Sequence, residues 1–241
     1  MEIRGTSALV TGASRGLGAS LARVLAQEGA RVVLVARGVE ELERTTAAIR
    51  AAGGEAHAVA ADLGDKRAPH AVAGTAAALV GPIDLLVNNA SSLGHVPLRP
   101  LLDTDCEALE LALDVNVVGA FRLTKLVAAS MSLRGRGLVL NVSSDASVGA
   151  YAGWGAYGVS KAALDHLGRI LGAELRGTGV RVVTVDPGEM DTKMHADAVP
   201  DADRKSLLDP LVVAQRLARL VRDSERLANG VRVEAAAWSS P

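Results

Sequence analysis

Thr11-Gly12-Ala13-Ser14-Arg15-Gly16-Leu17-Gly18, set between an apolar run at Ser7 to Val10 and a helical pattern over 17–28, is the stretch that decides how this chain folds. Glycines at 12, 16 and 18 permit a tight turn, close backbone approach to a phosphate, and close packing of a helix on a strand. The helix N-terminus adds free N–H groups and a positive dipole. The turn therefore reads as a diphosphate cradle, with Gly12, Ser14, Arg15, Gly16, Leu17 and Gly18 as candidate contacts. Alone, such a stretch is also compatible with a plain turn, so its context carries weight.

Outward from the turn, short apolar runs alternate with longer helical patterns. Ser7 to Val10, Arg31 to Ala36, Ala56 to Ala61, Ile83 to Val87, Gly137 to Val142, Val180 to Val185 and Val231 to Val233 read as strands, most of them apolar enough for burial on both faces. Helical segments fall at about 17–28, 39–52, 66–80, 103–133, 159–176 and 210–223. This alternation specifies right-handed crossovers and predicts an α/β architecture: a doubly wound, Rossmann-type, seven-stranded parallel sheet with helices on both faces. No repeat, linker or low-complexity tract marks a boundary, so residues 1–241 are expected to form a single domain. The least regular stretch, 188–210, is expected to be a loop that acts as a substrate lid.

Composition narrows the partners. Lys and Arg number 26 against 27 Asp and Glu, without long runs of either sign, so nucleic acid and anionic membrane are not expected. No run approaches the roughly 18 uninterrupted apolar residues of a membrane span. Met-Glu-Ile-Arg-Gly at the start shows no cleavage-site pattern, and the single Cys106 suits a reducing compartment; a cytoplasmic location is expected. Cys106 reads as a buried or half-buried helix residue. The five His are scattered without ligand spacing, so no metal is expected.

After the second strand, where NAD-preferring folds of this type carry an acid for the ribose 2′-hydroxyl, the chain has Ala36-Arg37. An arginine can form charge-assisted bonds to a 2′-phosphate, and Arg15 in the glycine turn can converge on it. The expected cofactor is NADP(H), with both arginines as solvated surface groups the alternative.

Far along the chain, Asn-Val-Ser-Ser (Asn141 to Ser144) closes an apolar strand and Tyr157-Gly-Val-Ser-Lys161 opens a helix. Four residues is about one helical turn, so phenol and ammonium share a face. A neighbouring cation lowers a phenol's pKa, which would make Tyr157 usable as a general acid or base. With aromatics only 2% of the chain, a tyrosine at this spacing is unlike filler.

With the glycine turn, Asp62-Leu63, Asn88-Asn89-Ala90-Ser91, Asn116, Ser144, Tyr157 and Lys161 in this order, the sequence resembles the single-domain branch of the short-chain dehydrogenase/reductase family. The likeness covers nearly the whole chain. It implies that Tyr157 exchanges a proton with the substrate oxygen, that Ser144 orients that oxygen, and that Lys161 lowers the tyrosine pKa and holds the nicotinamide ribose. Asn116 would anchor a water relay from Lys161. By the same resemblance Asp62 and Leu63 flank the adenine; Asn88, Asn89 and Ala90 line the cofactor behind the fourth strand; and Pro187, Gly188 and Thr192 hold the carboxamide end. Ser143 would face the cofactor or the sheet.

The implied function is reversible reduction of a carbonyl to an alcohol by hydride transfer from NADP(H), in a homodimer or homotetramer; a non-catalytic NADP(H) sensor or scaffold is the alternative. The chain departs from the family pattern at Ser91, where a glycine is usual, and in lacking the usual Asp-Gly-Gly ending. A substrate pocket is expected between Ser91 to Val96, Ser147 to Trp154 and Glu189 to His195. Trp154, Met190 and Met194 would form an apolar wall suited to a ring-bearing or branched ketone, unless Trp154 only packs the loop. Gly153-Trp154, together with Pro187 to Met194, is similar to the sepiapterin and benzil reductase branch.

Overall fold

The alternation of two buried faces along the inner strands of the sheet builds the core. In the computed structural model, which describes residues 1–236, the strands are β1 (Ser7–Thr11), β2 (Arg31–Ala36), β3 (Glu55–Ala60), β4 (Leu85–Asn88), β5 (Gly137–Val142), β6 (Val180–Asp186) and β7 (Val231–Glu234). The tail 237–241, where the family's usual ending is missing, lies outside the described residues. Every pairing is parallel, in the order β3-β2-β1-β4-β5-β6-β7. The helices are α1 (Gly16–Gln27), α2 (Val39–Ala51), α3 (Ala68–Val80), α4 (Cys106–Leu113), α5 (Ala120–Arg134), α6 (Gly155–Glu174), α7 (Lys193–Ala198) and α8 (Pro210–Asp223).

Successive strand residues point to opposite faces, and both faces are covered. Ala8, Val10, Val32, Leu34, Leu138 and Leu140 pack with Leu21 and Leu25 of α1, Ile49 of α2 and Leu217 of α8. Their neighbours Leu9, Val33, Val35, Leu86 and Val139 pack on the other side with Val72 and Ala76 of α3 and Leu123, Val127 and Met131 of α5. That is why these strands read as continuous apolar runs. Strand order reverses between β1 and β4, and the crevice beyond their C-terminal ends is the position where such sheets bind ligands.

Three expectations about elements change. The helical pattern over 103–133 is one path in three parts, with the π-helical segment Asp114–Gly119 between α4 and α5. Helix α6 begins at Gly155 rather than near 159, so Tyr157 lies inside its first turn. The 188–210 stretch is largely ordered: Thr192 caps α7, Met190 pairs with Leu208, and Arg204 makes two 2.9 Å bonds to Asp191. Cys106, at the first position of α4, is exposed, not buried.

Candidate active site

The glycine turn is shaped by what a side chain would strike. A Cβ on Gly18 would lie 2.3 Å from the Gly12 carbonyl oxygen, and one on Gly12, whose φ is +64°, would lie 2.8 Å from the Ala90 Cα. Asn89 locks the turn, its Nδ2 donating to the carbonyls of Thr11 (2.9 Å) and Gly12 (3.1 Å). No side chain caps the start of α1, so its first N–H groups are left facing outward. A cleft of about 540 Å³ opens there.

Of the residues singled out from the sequence, Gly12, Ser14, Arg15, Gly16, Leu17, Arg37, Asp62, Leu63, Asn89, Ala90, Tyr157, Lys161, Pro187 and Thr192 all line this cleft. Gly18 does not line it and works from behind, by packing. Asn88 is a correction: its side chain turns away to clamp β4 to β5 and α5, donating to Asn141 Oδ1 (2.8 Å) and Thr124 Oγ1 (2.9 Å). Arg15 and Arg37 stand at the rim, 3.6 Å from Glu41 and 3.8 Å from Asp62. Both side chains are more than half exposed, so these ion pairs are weak and leave the arginines available.

A second pocket of about 270 Å³ adjoins the cleft, with Ser144 and Gly188 in its wall. Leu93, Tyr151, Trp154, Met190, Met194 and His195 line it as expected, whereas Val96 and Ser147 do not. Trp154 meets the Tyr157 ring edge-on, with centroids 5.7 Å apart. Tyr157, Ser143 and Pro187 belong to both cavities. Sequence reading passed over Asp145, which also lines the pocket; its carboxylate accepts from Ser144 Oγ (2.8 Å) and from the Tyr151 hydroxyl (2.9 Å). The signal was an acid directly after the serine.

Lys161 is almost fully buried, and its Nζ donates to the Val142 carbonyl (2.7 Å) from 5.4 Å above the Tyr157 ring centroid. Burial pulls the ammonium down to about 8, against a smaller upward pull from Asp165. Burial likewise pushes the Tyr157 phenol up to about 12, with the Ser144 and Ser91 hydroxyls working in the opposite direction by hydrogen bonding. The expected lowering of the phenol by Lys161 is therefore absent, for a physical reason: where the phenol would ionise, the ammonium is already neutral. Asn116, in the π-helical segment, makes no side-chain hydrogen bond to Lys161. Its amide holds the Ser92 backbone (2.7 and 2.9 Å) and Ser160 Oγ (2.8 Å), fixing the loop after β4 against α6. The buried hydroxyl of Ser143 has no partner. Among the described residues no His, Cys, Asp or Glu cluster suits a metal, and no helix is long and apolar enough to cross a membrane.

A dinucleotide fits these residues: Gly12 and Gly16 bring bare backbone to the cleft, the start of α1 has no side-chain cap there, and the unpartnered Ser143 hydroxyl and the Lys161 ammonium lie at its far end. The family model described as short chain dehydrogenase matches residues 6–203. This chain belongs to the short-chain dehydrogenase family. Ketoacyl reductase HetN of Nostoc sp. is 34% identical over 223 residues, spanning 92% of this chain and 77% of that protein. A variant of actinorhodin polyketide ketoreductase with NADPH superposes with a TM-score of 0.86 at 28% identity, covering 95% of each chain. A 7α-hydroxysteroid dehydrogenase complexed with NADH and 7-oxo glycochenodeoxycholic acid gives 0.90 at 27% identity, covering 100% of this chain and 97% of that one. As a short-chain dehydrogenase the chain is an oxidoreductase of a family that uses nicotinamide cofactors on small-molecule substrates.

Proposed function

We propose that this short-chain dehydrogenase interconverts a ketone and an alcohol with NADP(H), and that Tyr157 is its general acid and base. The observation that carries the reading is the place of the Tyr157 phenol, buried at the seam of a dinucleotide-sized cleft and a smaller apolar pocket. Gly12 to Leu17, Asp62, Leu63, Asn89 and Ala90 would hold the adenosine diphosphate half, with Arg37 and Arg15 on a 2′-phosphate. Pro187, Gly188 and Thr192 would hold the carboxamide end, and Lys161 the ribose. The nicotinamide supplies or takes the hydride.

Reduction builds negative charge on the carbonyl oxygen, and the residues around Tyr157 are arranged to meet it. Held up at about 12, the phenol keeps its proton at neutral pH and gives it to that oxygen. Ser144, bonded to Asp145 at rest, turns its hydroxyl to the same oxygen. Lys161, still mostly charged below about 8, stabilises the phenolate that remains. Asn116 holds the Ser92 loop that closes this corner and anchors the water relay of the sequence reading. A protonated phenol is the form that carbonyl reduction uses, and ketoacyl reductase and ketoreductase are among the names of similar proteins.

Trp154, Leu93, Met190 and Met194 give the pocket a mainly apolar wall, suited to a ring-bearing or branched ketone. The 188–210 segment contributes to both cavities and is the proposed lid within a single catalytic domain, 1–241. Half-exposed Phe121, Val159 and Ile170 on α5 and α6 support a homodimer or homotetramer through those helices. The test is NADPH oxidation against a panel of ketones, diketones and quinones, with Tyr157→Phe in parallel. The variant is expected to bind NADPH normally and lose at least ~100-fold in turnover. Near-normal turnover by Tyr157→Phe removes the phenol from the mechanism, and cofactor binding without turnover by wild-type protein on any carbonyl favours the sensor reading.

A further inference from the structure

One partly buried cation lies outside the chemistry so far described. The Arg232 side chain, on β7, is only 14% exposed. Its Nε donates to Asp165 Oδ2 (3.1 Å), and its Nη2 to Asp186 Oδ2 (2.9 Å) and to the main-chain oxygen of Ser144 (3.2 Å). Nη1 lies 3.6 Å from Glu234. Asp165 and Asp186 are themselves buried, and each has a second engagement. Asp165, one turn after Lys161 on α6, accepts from Ser147 Oγ (2.6 Å), while Asp186 Oδ1 accepts from the Gly188 N–H (3.0 Å).

One planar guanidinium thus gathers three things that the reaction needs in register. It holds the serine-bearing turn directly at Ser144 and again at Ser147 through Asp165. It holds the Pro187-Gly188 turn through Asp186, and it holds α6, which carries Tyr157 and Lys161. A planar fork whose donors are fixed some way apart meets two carboxylates and a carbonyl at once without crowding them onto one atom.

We propose that Arg232 is a positioning residue for catalysis, setting the Ser144 hydroxyl against the Tyr157 phenol by gripping the Ser144 main chain. The inference rests on the catalytic reading of Ser144 and Tyr157 above. Removing the cation outright would strand two buried carboxylates, so the informative variant is Arg232→Lys, which keeps the charge but replaces the fork by a single point. A displacement of the serine by a fraction of an ångström slows the chemical step while leaving cofactor binding alone.

The experiment compares wild type, Arg232→Lys, Ser144→Ala and the double variant in NADPH-dependent reduction of the best ketone from the panel. Arg232→Lys is expected to keep its unfolding midpoint, keep NADPH Kd and KM within about threefold, and lose about tenfold or more in kcat. In the Ser144→Ala background the same change should cost less than about twofold, because its effect passes through that serine. Unchanged kcat in folded Arg232→Lys overturns the proposal. So does an equal loss in both backgrounds, or a rise of Kd and KM together with a lowered midpoint. Should Arg232→Lys fail to fold, Asp165→Asn, which leaves a charge-balanced Arg232–Asp186 pair and the Gly188 turn in place while loosening the hold on the serine-bearing turn at Ser147, carries the same two outcomes. If Ser144→Ala retains wild-type turnover, the catalytic reading of Ser144 fails too; if it is crippled while Arg232→Lys is not, only the present inference falls.

Discussion

Tyr157 and Lys161 show how far residue type and spacing reach. One helical turn between them does place ammonium over ring, yet the ionisation behaviour runs against the simple expectation because both groups leave water together. Spacing reports who is near; burial decides which proton is held, and burial is a property of the packed loops around α6. The choice between Ser143 and Ser144 is similar. Adjacent residues on an extended segment face opposite ways: Ser144 lines the smaller pocket with its hydroxyl on Asp145, whereas Ser143 lies buried at the junction of the cavities. Arg37 was legible because its position after β2 follows from strand count alone. Since its pairing with Asp62 is long and exposed, Arg37→Asp should leave folding intact and lower the NADPH over NADH preference by about 30-fold, or roughly 2 kcal/mol for one hydrogen bond to a charged group. Steady-state KM and kcat with each cofactor check this, and an unchanged ratio moves the role to Arg15.

At the scale of elements, strands were the most legible part, since every predicted apolar run lies on a strand of the sheet within one or two residues. Two-sided burial leaves the sequence no room for another pattern. Helix interiors were less exact. The 3.6-residue pattern over 103–133 cannot distinguish a regular helix from one with an inserted π turn, which shifts by one residue the face on which Asn116 points. The ordering of 188–210 was also hidden, because it rests on pairings such as Met190 with Leu208 and Asp191 with Arg204. The glycine turn makes the sharpest prediction at this scale. Gly18→Ala would drive a methyl group into the Gly12 carbonyl oxygen, a rigid backbone atom, so α1 must move off β1. We expect a loss of about 2 kcal/mol, as for overpacking elsewhere, together with weaker NADPH binding. Urea midpoints and a fluorescence titration measure the two effects, and a loss below about 0.5 kcal/mol would mean that the turn relaxes easily.

For the whole molecule, the buried Tyr157 and Lys161 pair predicts how stability varies with pH. Lys161 titrates near 8 when folded and near 10.5 when free, so between those values the unfolded chain binds more protons and stability climbs as pH rises. Tyr157 works in reverse: its folded value of about 12 lies above 10, so its contribution is present below pH 10 and is lost as pH rises through 12. Wild-type protein should therefore gain on the order of 3 kcal/mol between about pH 8 and 10.5 from Lys161, a gain that Lys161→Met should lack. Denaturant midpoints across that range test it, and a wild-type slope that survives the substitution would assign it to other groups. Assembly offers a second prediction. Phe121, 41% exposed on α5, should lie within the proposed subunit contact, so Phe121→Glu should reduce the mass measured by light scattering toward the monomer. An unchanged mass would place any contact elsewhere.

The sequence by itself determined the order of strands and helices, the glycine turn, the arginine after β2 and the one-turn spacing of Tyr157 and Lys161, because each of these is written in local spacing or in the period of burial, while Ser144 was singled out by the family resemblance. Only the tertiary structure decided that Asn88 clamps the sheet instead of facing the cleft, that the phenol is held up rather than down, and that Arg232 reaches back from β7 to the Ser144 main chain. Those outcomes depend on which buried groups meet across the sheet, 88 positions apart in the last case. Desolvation and hydrogen bonding act on distances in space, and a linear pattern of residues does not record them.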